Sequence, residues 1–277
     1  MNFDDYCQQK AAPIGSSIYY ALRQARHSIK PVLIALFALR RELEEIGKKT
    51  REPSIGYTKL TWWQKEILAL VEGCPSHPVT KALAAHHPSI NIEYDTLHEL
   101  ISGYRMDLNK TRYLDFLNLR QYIVKVGVGF SLLVSRACMS KSRQTISYPW
   151  TESIGHALIL AQFIQELGSD TRHGNIYLPI NELQRYNVTV ADLLNCHYSS
   201  SFTELMTFQT SRARDALSIA ESGIPKDERY THRTLRAQIA LARALLIEIE
   251  RDGYQVLHQR IALTPIRKLW IAWRGTV

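Results

Sequence analysis

Apolar positions recur at helical spacing along nearly the whole chain. Within residues 14 to 49 there are two helical pieces: Ile18, Tyr19 and Leu22 make one apolar stripe, and Pro31 suits the first turn of the second, where a missing N–H costs nothing. Pro53 and Gly56 mark Thr50 to Tyr57 as a turn or loop. Leu60, Trp63, Ile67 and Leu70 then share one helical face, closed by Gly73 and Pro75. His86, His87 and Pro88 read as loop, and adjacent histidines lack the i, i+4 spacing of a helical metal pair. Beyond Asp95 the helical pattern returns at Leu97, Leu100, Ile101, Tyr104 and Leu108, and again in Ser153 to Leu167, Asp192 to Cys196, Phe202 to Ala220 and Leu235 to Tyr254. No strand alternation lasts more than a few residues, and no repeat of fixed period interrupts the chain. The pattern predicts one all-α domain, residues 1–277, of helices stacked around a central cavity.

Composition narrows the partners. A chain of 277 residues with 45% hydrophobic content has ample material for one large helical core. The formal charge of +8 is spread among acids, which gives a nucleic-acid partner little support and suits an anionic small ligand or an anionic membrane surface equally well. Cys7, Cys74, Cys138 and Cys196 form no C-x-x-C pair, against structural zinc and against a disulfide framework, so a reducing cytosol is the default. Asp4 and Asp5 open the chain where a signal peptide would be basic. The longest apolar runs, near Val32 to Leu39 and Ala157 to Ile164, are too short to span a bilayer. The expectation is a cytoplasmic protein, soluble or peripheral to the membrane. Trp270 and Trp273, with Lys268 and Arg274, suit a membrane interface or a terminal helix docked on the core.

Glu166 and Asp170 are the first candidate chemistry. Four residues apart on a helix, their carboxylates share a face and repel by a few tenths of a kcal/mol, roughly. A metal ion reverses that sign, and Mg²⁺ takes one or two carboxylates while leaving positions for phosphate oxygens. A solvated acidic face is the plain alternative. Glu44 and Glu45 each precede a lysine, Lys48 and Lys49, by four residues in the favourable orientation, which also describes a salt-bridged surface helix. Gly127 and Gly129 inside an apolar helical run cost about 1 kcal/mol each relative to Ala, so a neighbouring helix or a long ligand is expected close by. Tyr122 by itself reads as a core tyrosine with a bonded hydroxyl.

The string from Gln162 to Pro179 resembles the second acidic motif of the squalene/phytoene synthase family, N-x-x-x-D-x-x-x-D followed by G-R-x-Y-L-P. Gln162, Glu166 and Asp170 stand at its Asn, Asp and Asp positions; Gly174, Tyr177, Leu178 and Pro179 match the exit, and Asn175 replaces the arginine. Ser16, Ser17, Tyr19 and Tyr20 resemble the family's S-x-Y-Y pocket wall. ALFALRRELEEIGKK resembles A-L-Y-A-F-C-R-x-x-D-D-x-x-D, the first acidic motif, with Phe37 and Arg41 at its Tyr and Arg, Glu44 and Glu45 at the leading acids, and Lys48 at the last. The run from Tyr104 to Gly129 resembles M-D-L, R-Y and L-x-x-Y ending in V-A-G-x-V-G, and Tyr122 aligns with a cavity tyrosine assigned to the proton or diphosphate steps. The carboxyl end resembles bacterial presqualene and squalene synthases of the hopanoid pathway.

The resemblance implies an isoprenoid synthase-type helical bundle in which two prenyl diphosphates, farnesyl or geranylgeranyl, condense head to head. It implies Mg²⁺ held by Glu44, Glu45, Gln162, Glu166 and Asp170, with Tyr122 catalytic. Ser16, Tyr19, Phe37, Arg41, Lys48, Gly127, Gly129 and Tyr177 would bind substrate. Ionisation of the donor leaves an allylic cation, which the second chain attacks to give a cyclopropylcarbinyl diphosphate. Three readings stand at this point: a transferase of reduced activity, an inactive member that binds isoprenoids or assembles with other proteins, and a membrane-surface protein resting on its basic aromatic tail. Lys48 is expected opposite Glu166 and Asp170, partly substituting for a metal.

Overall fold

The computed structural model describes residues 2–50, 52–86, 94–109, 112–139 and 149–276. Among these, every regular element is helical: α1 (Phe3–Ala11), α2 (Ser17–Leu22), α3 (Lys30–Lys49), α4 (Pro53–Val71), α5 (Pro78–His86), α6 (Tyr94–Leu108) and α7 (Phe116–Ile123). A π-helical turn (Val124–Val128) leads directly into α8 (Gly129–Cys138). After it come α9 (Pro149–Arg172), α10 (Ile180–Arg185), α11 (Val190–Leu194), α12 (Ser200–Gly223), α13 (Arg233–Arg251) and α14 (Pro265–Arg274).

Two helices organise the rest. α3 is enclosed by α1, α5, α6 and α8, and α9 by α8, α12, α13 and the π-helical turn. Each therefore buries apolar residues around most of its circumference, as central helices do: Val32, Leu33, Leu36, Leu39 and Leu43 on α3, and Ile154, Ala157, Ile159, Ile164 and Leu167 on α9. Pro31 sits in the first turn of α3, as the pattern predicts. Leu60, Trp63, Ile67 and Leu70 are buried together, while Trp62 is exposed. All four cysteines are free.

Three local expectations change. The segment Thr50 to Tyr57 is loop only at its start, because Pro53 opens α4 and Gly56 lies inside it; a Cβ on Gly56 would meet Leu108 Cδ2 at 2.4 Å, so this glycine admits α6 rather than ending a helix. His86 closes α5 and pairs with Asp4 at 2.9 Å, while His87 and Pro88 lie outside the described residues. Gly127 fulfils the expectation of close packing, since its Cβ would stand 2.8 Å from Gly155 O of α9. At Gly129 no neighbouring helix closes in: a Cβ there would meet only Val124 O, at 3.8 Å.

α14 docks on the bundle by one face and leaves the other open. Ala272 is fully buried, and Lys268 Nζ donates to Gly15 O at 2.8 Å. Ile266, Leu269, Trp270 and Trp273, spaced i, i+3, i+4 and i+7, form an apolar stripe turned to solvent. No helix of the described residues is long and apolar enough to cross a membrane.

Candidate active site

Helical spacing brings Phe37, Arg40, Arg41 and Glu44 to one side of α3, and Leu158, Ala161, Gln162, Gln165 and Glu166 to the facing side of α9. Between them opens a cavity of about 420 Å³, within the usual range for a small-molecule site. Leu241, Ala242 and Leu245 of α13 close one apolar wall, and Ser16, Ser17 and Ile18 at the start of α2 form part of the rim with Lys10, Arg260 and Lys268. The N-cap Ser16 accepts the Tyr19 amide with its hydroxyl at 3.1 Å, which fixes that rim. Tyr19 itself turns to a separate recess with Leu22, Arg23 and Lys30.

Asp170 reaches this region through the end of α9. Gly174 takes a positive φ of 85°, and Asn175 N donates to Asp170 O while Gly174 N donates to Thr171 O, each at 2.9 Å. This Schellman-type stop is what the G-x-x-Y-L-P exit encodes. It leaves Asp170 almost fully buried, one turn beyond Glu166.

The acids of both motifs are already paired. Lys48 Nζ stands 2.8 Å from Asp170 Oδ1 and 3.1 Å from Glu44 Oε1, so one ammonium joins α3 to α9. Glu44 also receives Arg41 at 3.2 Å and Gln162 Nε2 at 2.7 Å, and Gln162 Oε1 in turn accepts Arg40 at 2.6 Å. Glu166 at the rim is held by Arg260 at 2.8 Å. Glu45 points away: bound by Lys10, Arg41 and Lys49, it lines an outer recess with Trp62 and Trp63, because adjacent helical positions diverge by a hundred degrees or so.

Burial opposes the charge of every member of this triad, and the partners decide the outcome. For Glu44, Lys48, Arg40 and Arg41 outweigh burial and hold the carboxyl down at about 2. For Lys48, Glu44 and then Asp170 outweigh it and lift the ammonium well above its usual value. For Asp170, burial prevails over Lys48 and pushes the carboxyl up to about 6. Its Oδ2 accepts no hydrogen bond, and the buried Asn175 side chain, at the position of the family's arginine, has no partner either.

Behind the cavity lies a second layer. A void of only about 10 Å³ separates Arg40, Glu44 and Lys48 from Tyr104, Tyr122, Phe163 and Tyr177. Phe163 and Tyr177 stack with ring centroids 4.3 Å apart and an interplanar angle of 9°. Tyr177 and Tyr122 donate their hydroxyls to Asp107 Oδ1 and Oδ2 at 2.6 and 2.9 Å. Burial nevertheless pushes the Asp107 carboxyl up to about 7. Tyr122 and Tyr177 thus brace the inner wall and do not line the main cavity.

The expected ligand set does not form an open Mg²⁺ site. Mg²⁺ needs oxygens at about 2.0–2.1 Å and retains several waters. Here Lys48 fills the gap between Glu44 and Asp170, Arg260 covers Glu166, and among the described residues no three His, Cys, Asp or Glu side chains are grouped to hold a metal. Three participants escaped the sequence reading. Asp107 is a polar residue on the otherwise apolar buried stripe of α6, and Arg40 lies on the same face as Phe37 and Glu44; both carried that signal. Arg260 lies between α13 and α14, where no pattern marks it.

Comparison with known proteins agrees with this architecture. A phytoene synthase of Arthrospira platensis is 29% identical, over 96% of this chain and 89% of its own length. A 15-cis-phytoene synthase of Synechococcus elongatus is 26% identical, over 95% and 89%. In fold, the chain is similar to a dehydrosqualene synthase solved in complex with ligand, with a TM-score of 0.84, 18% identity and coverage of 99% and 95%. It is also similar to the squalene synthase HpnC from Alicyclobacillus acidocaldarius, with a TM-score of 0.75, 19% identity and coverage of 91% and 94%. The family model for squalene/phytoene synthase matches residues 11–267, and the chain belongs to that family.

Proposed function

We propose that this chain is a prenyltransferase of the squalene/phytoene synthase type, joining two prenyl diphosphates head to head at a reduced rate. The observation that carries the reading is the cavity between α3 and α9, whose charged rim adjoins an apolar interior. Arg41 and Lys10 at the rim suit a diphosphate, and Phe37, Leu158, Leu241 and Leu245 suit the hydrocarbon. Apolar walls keep water from an allylic cation, which a wet site would capture. The reduced rate follows from the altered motifs, because losing a preorganised charged group costs about 3–4 kcal/mol, or roughly 10²- to 10³-fold.

The test is incubation of the purified protein with radiolabelled farnesyl or geranylgeranyl diphosphate, with and without Mg²⁺, followed by product analysis. A coupled C30 or C40 product that Asp170→Asn abolishes supports the reading. Coupling at an ordinary family rate, insensitive to Asp170→Asn, defeats it. A second reading, an inactive prenyl-diphosphate binder, is favoured by one observation: Lys48 stands between the two acidic motifs. Binding without any product would select it. The outward stripe of α14 extends either reading to a peripheral membrane contact, since exposed Trp, Ile and Leu beside basic residues suit a lipid interface. Co-sedimentation with anionic vesicles that Trp270→Ser and Trp273→Ser abolish would support it, and vesicle binding unchanged by them would end it.

A further inference from the structure

The reading above leaves open how a diphosphate is held when the carboxylates are already paired. We infer that the cavity binds the diphosphate directly on the chain's own basic side chains, without a divalent metal, and that Lys48 is the resident cation that permits this. The inference rests on the cavity taking a prenyl diphosphate.

The geometry has three parts. At the junction of the motifs, the ammonium of Lys48 contacts Glu44 and Asp170 at 3.1 and 2.8 Å, and the adjoining void of about 10 Å³ is near the size of a single water probe. A hydrated Mg²⁺ has no room there, and Lys48 already holds Glu44 Oε1 and Asp170 Oδ1. The second part is the cavity wall, whose charged lining is Lys10, Arg40, Arg41, Arg260 and Lys268 against Glu44 and Glu166, with Lys10 also tied to Glu42 and Glu45 outside it. Lys48 offsets one of the two charges on Glu44 and Asp170 from behind, and the basic excess of the wall makes the field in the cavity that of an anion receptor. Third, Arg41 is half exposed at the rim, bonded to Glu44 at 3.2 Å and Glu45 at 3.1 Å, so its guanidinium is within reach of a phosphate oxygen entering the cavity. Arginine is suited to that role by its planar, bidentate donors.

A divalent clamp and a lysine clamp make opposite demands on the same atoms. Mg²⁺ requires Glu44 and Asp170 to be empty-handed acceptors, whereas the lysine clamp requires them to be engaged. Replacing Lys48 by an acid therefore exchanges one chemistry for the other: it removes the internal cation and supplies a third carboxylate.

The experiment is titration calorimetry of the full chain with two probes, inorganic pyrophosphate and farnesyl thiolodiphosphate, in EDTA and in excess Mg²⁺. The expected result is binding of both in EDTA, no weaker than in Mg²⁺. Arg41→Gln should weaken that binding by roughly tenfold or more, the loss of a charge-assisted hydrogen bond. Lys48→Asp should gain Mn²⁺ binding, read as loss of the free-ion paramagnetic resonance signal, and should make probe binding metal-dependent. Wild-type binding seen only with Mg²⁺ overturns this inference and leaves the proposed function standing. Failure of farnesyl thiolodiphosphate to bind under either condition overturns the proposed function itself. Binding in EDTA that Arg41→Gln leaves unchanged overturns the assignment of the diphosphate to the basic rim. The wild-type arms decide the matter even if Lys48→Asp fails to fold.

Discussion

α3 and α9 carry the same spacing with opposite content. On α3 the i, i+4 pair is Glu44 and Lys48, opposite charges that satisfy each other; on α9 it is Glu166 and Asp170, like charges that must find partners elsewhere. Asp170 finds Lys48 across the cavity wall, and Glu166 finds Arg260 from the segment between α13 and α14. The two helices also treat one ammonium differently. Glu44, which adds Arg40, Arg41 and Gln162 to Lys48, is held down at about 2, whereas Asp170, with Lys48 alone, is pushed up to about 6 by burial. The lesson is that an acidic motif is judged by the number of partners around each carboxylate. Count of acids along the sequence does not supply it.

The largest effect should come from removing the shared cation. Lys48→Met leaves Glu44 and Asp170 buried without it, and breaking a buried pair in this way costs about 3–5 kcal/mol. Urea unfolding at pH 7 measures the loss. Adding Asp170→Asn to that background should recover part of it, because the second change removes one of the stranded charges. A single-variant loss under about 1 kcal/mol, the range of an exposed pair, would break the comparison.

A smaller effect tests what holds α9 in place. A Cβ on Gly155 would lie 2.4 Å from Gly127 O and 2.6 Å from Val128 Cα, both backbone atoms of the π-helical turn. Gly155→Ala should therefore cost about 1–3 kcal/mol, as overpacking does. Gly129→Ala meets no such obstacle and should stabilise by up to about 1 kcal/mol. Thermal unfolding of the two variants distinguishes them, and equal effects would show that the crossing at Gly127 is not tight.

Gly127 and Gly129 also mark how far the sequence could be read. The helices and their apolar faces were legible because burial repeats with the helical period, as at Leu60, Trp63, Ile67 and Leu70. The Gly174 to Pro179 exit was legible because a helix stop needs a particular backbone geometry there. Partners were not. The resemblance put Glu44 and Glu45 together in the metal site, and spacing could not tell that Glu45 faces outward, nor that Arg260 covers Glu166, since a contact between segments about ninety residues apart leaves no periodic trace. Gly127 and Gly129 looked alike in sequence, and only the packed neighbour separates them.

The inner wall should show itself through pH. The Asp107 carboxyl, raised to about 7 in the fold, lies above its unfolded value of about 3.9. The folded state therefore holds the proton more tightly between those values, so Asp107's contribution is fully present below about pH 4 and lost as pH rises through 7. Asp170, raised to about 6, has the same sign. Glu44 has the opposite sign: its contribution is present above about pH 4.3 and lost as pH falls towards 2. Asp107→Asn should flatten the decline in stability between pH 4 and 7. A carbon-13 titration of Asp107 with a midpoint near 4 would remove the basis for this expectation.

The smallest effect is expected at the rim, and its smallness is the point. Arg260 contacts Glu166 at 2.8 Å, the same distance as Lys48 to Asp170, yet its side chain is 60% exposed whereas that of Lys48 is 15% exposed. Water screens the outer pair and competes for both partners, so Arg260→Ala should change stability by no more than about 1 kcal/mol. Salt should sharpen the contrast, because at 1 M ionic strength the screening length falls to about 3 Å and an exposed pair loses most of its attraction, while an enclosed one keeps it. Lys48→Met measured at low and high salt should give nearly the same loss, and Arg260→Ala a loss that vanishes in salt. If the two variants respond to salt alike, Lys48 is exposed to solvent in the working protein, and the internal cation that separates α3 from α9 in character is no longer internal.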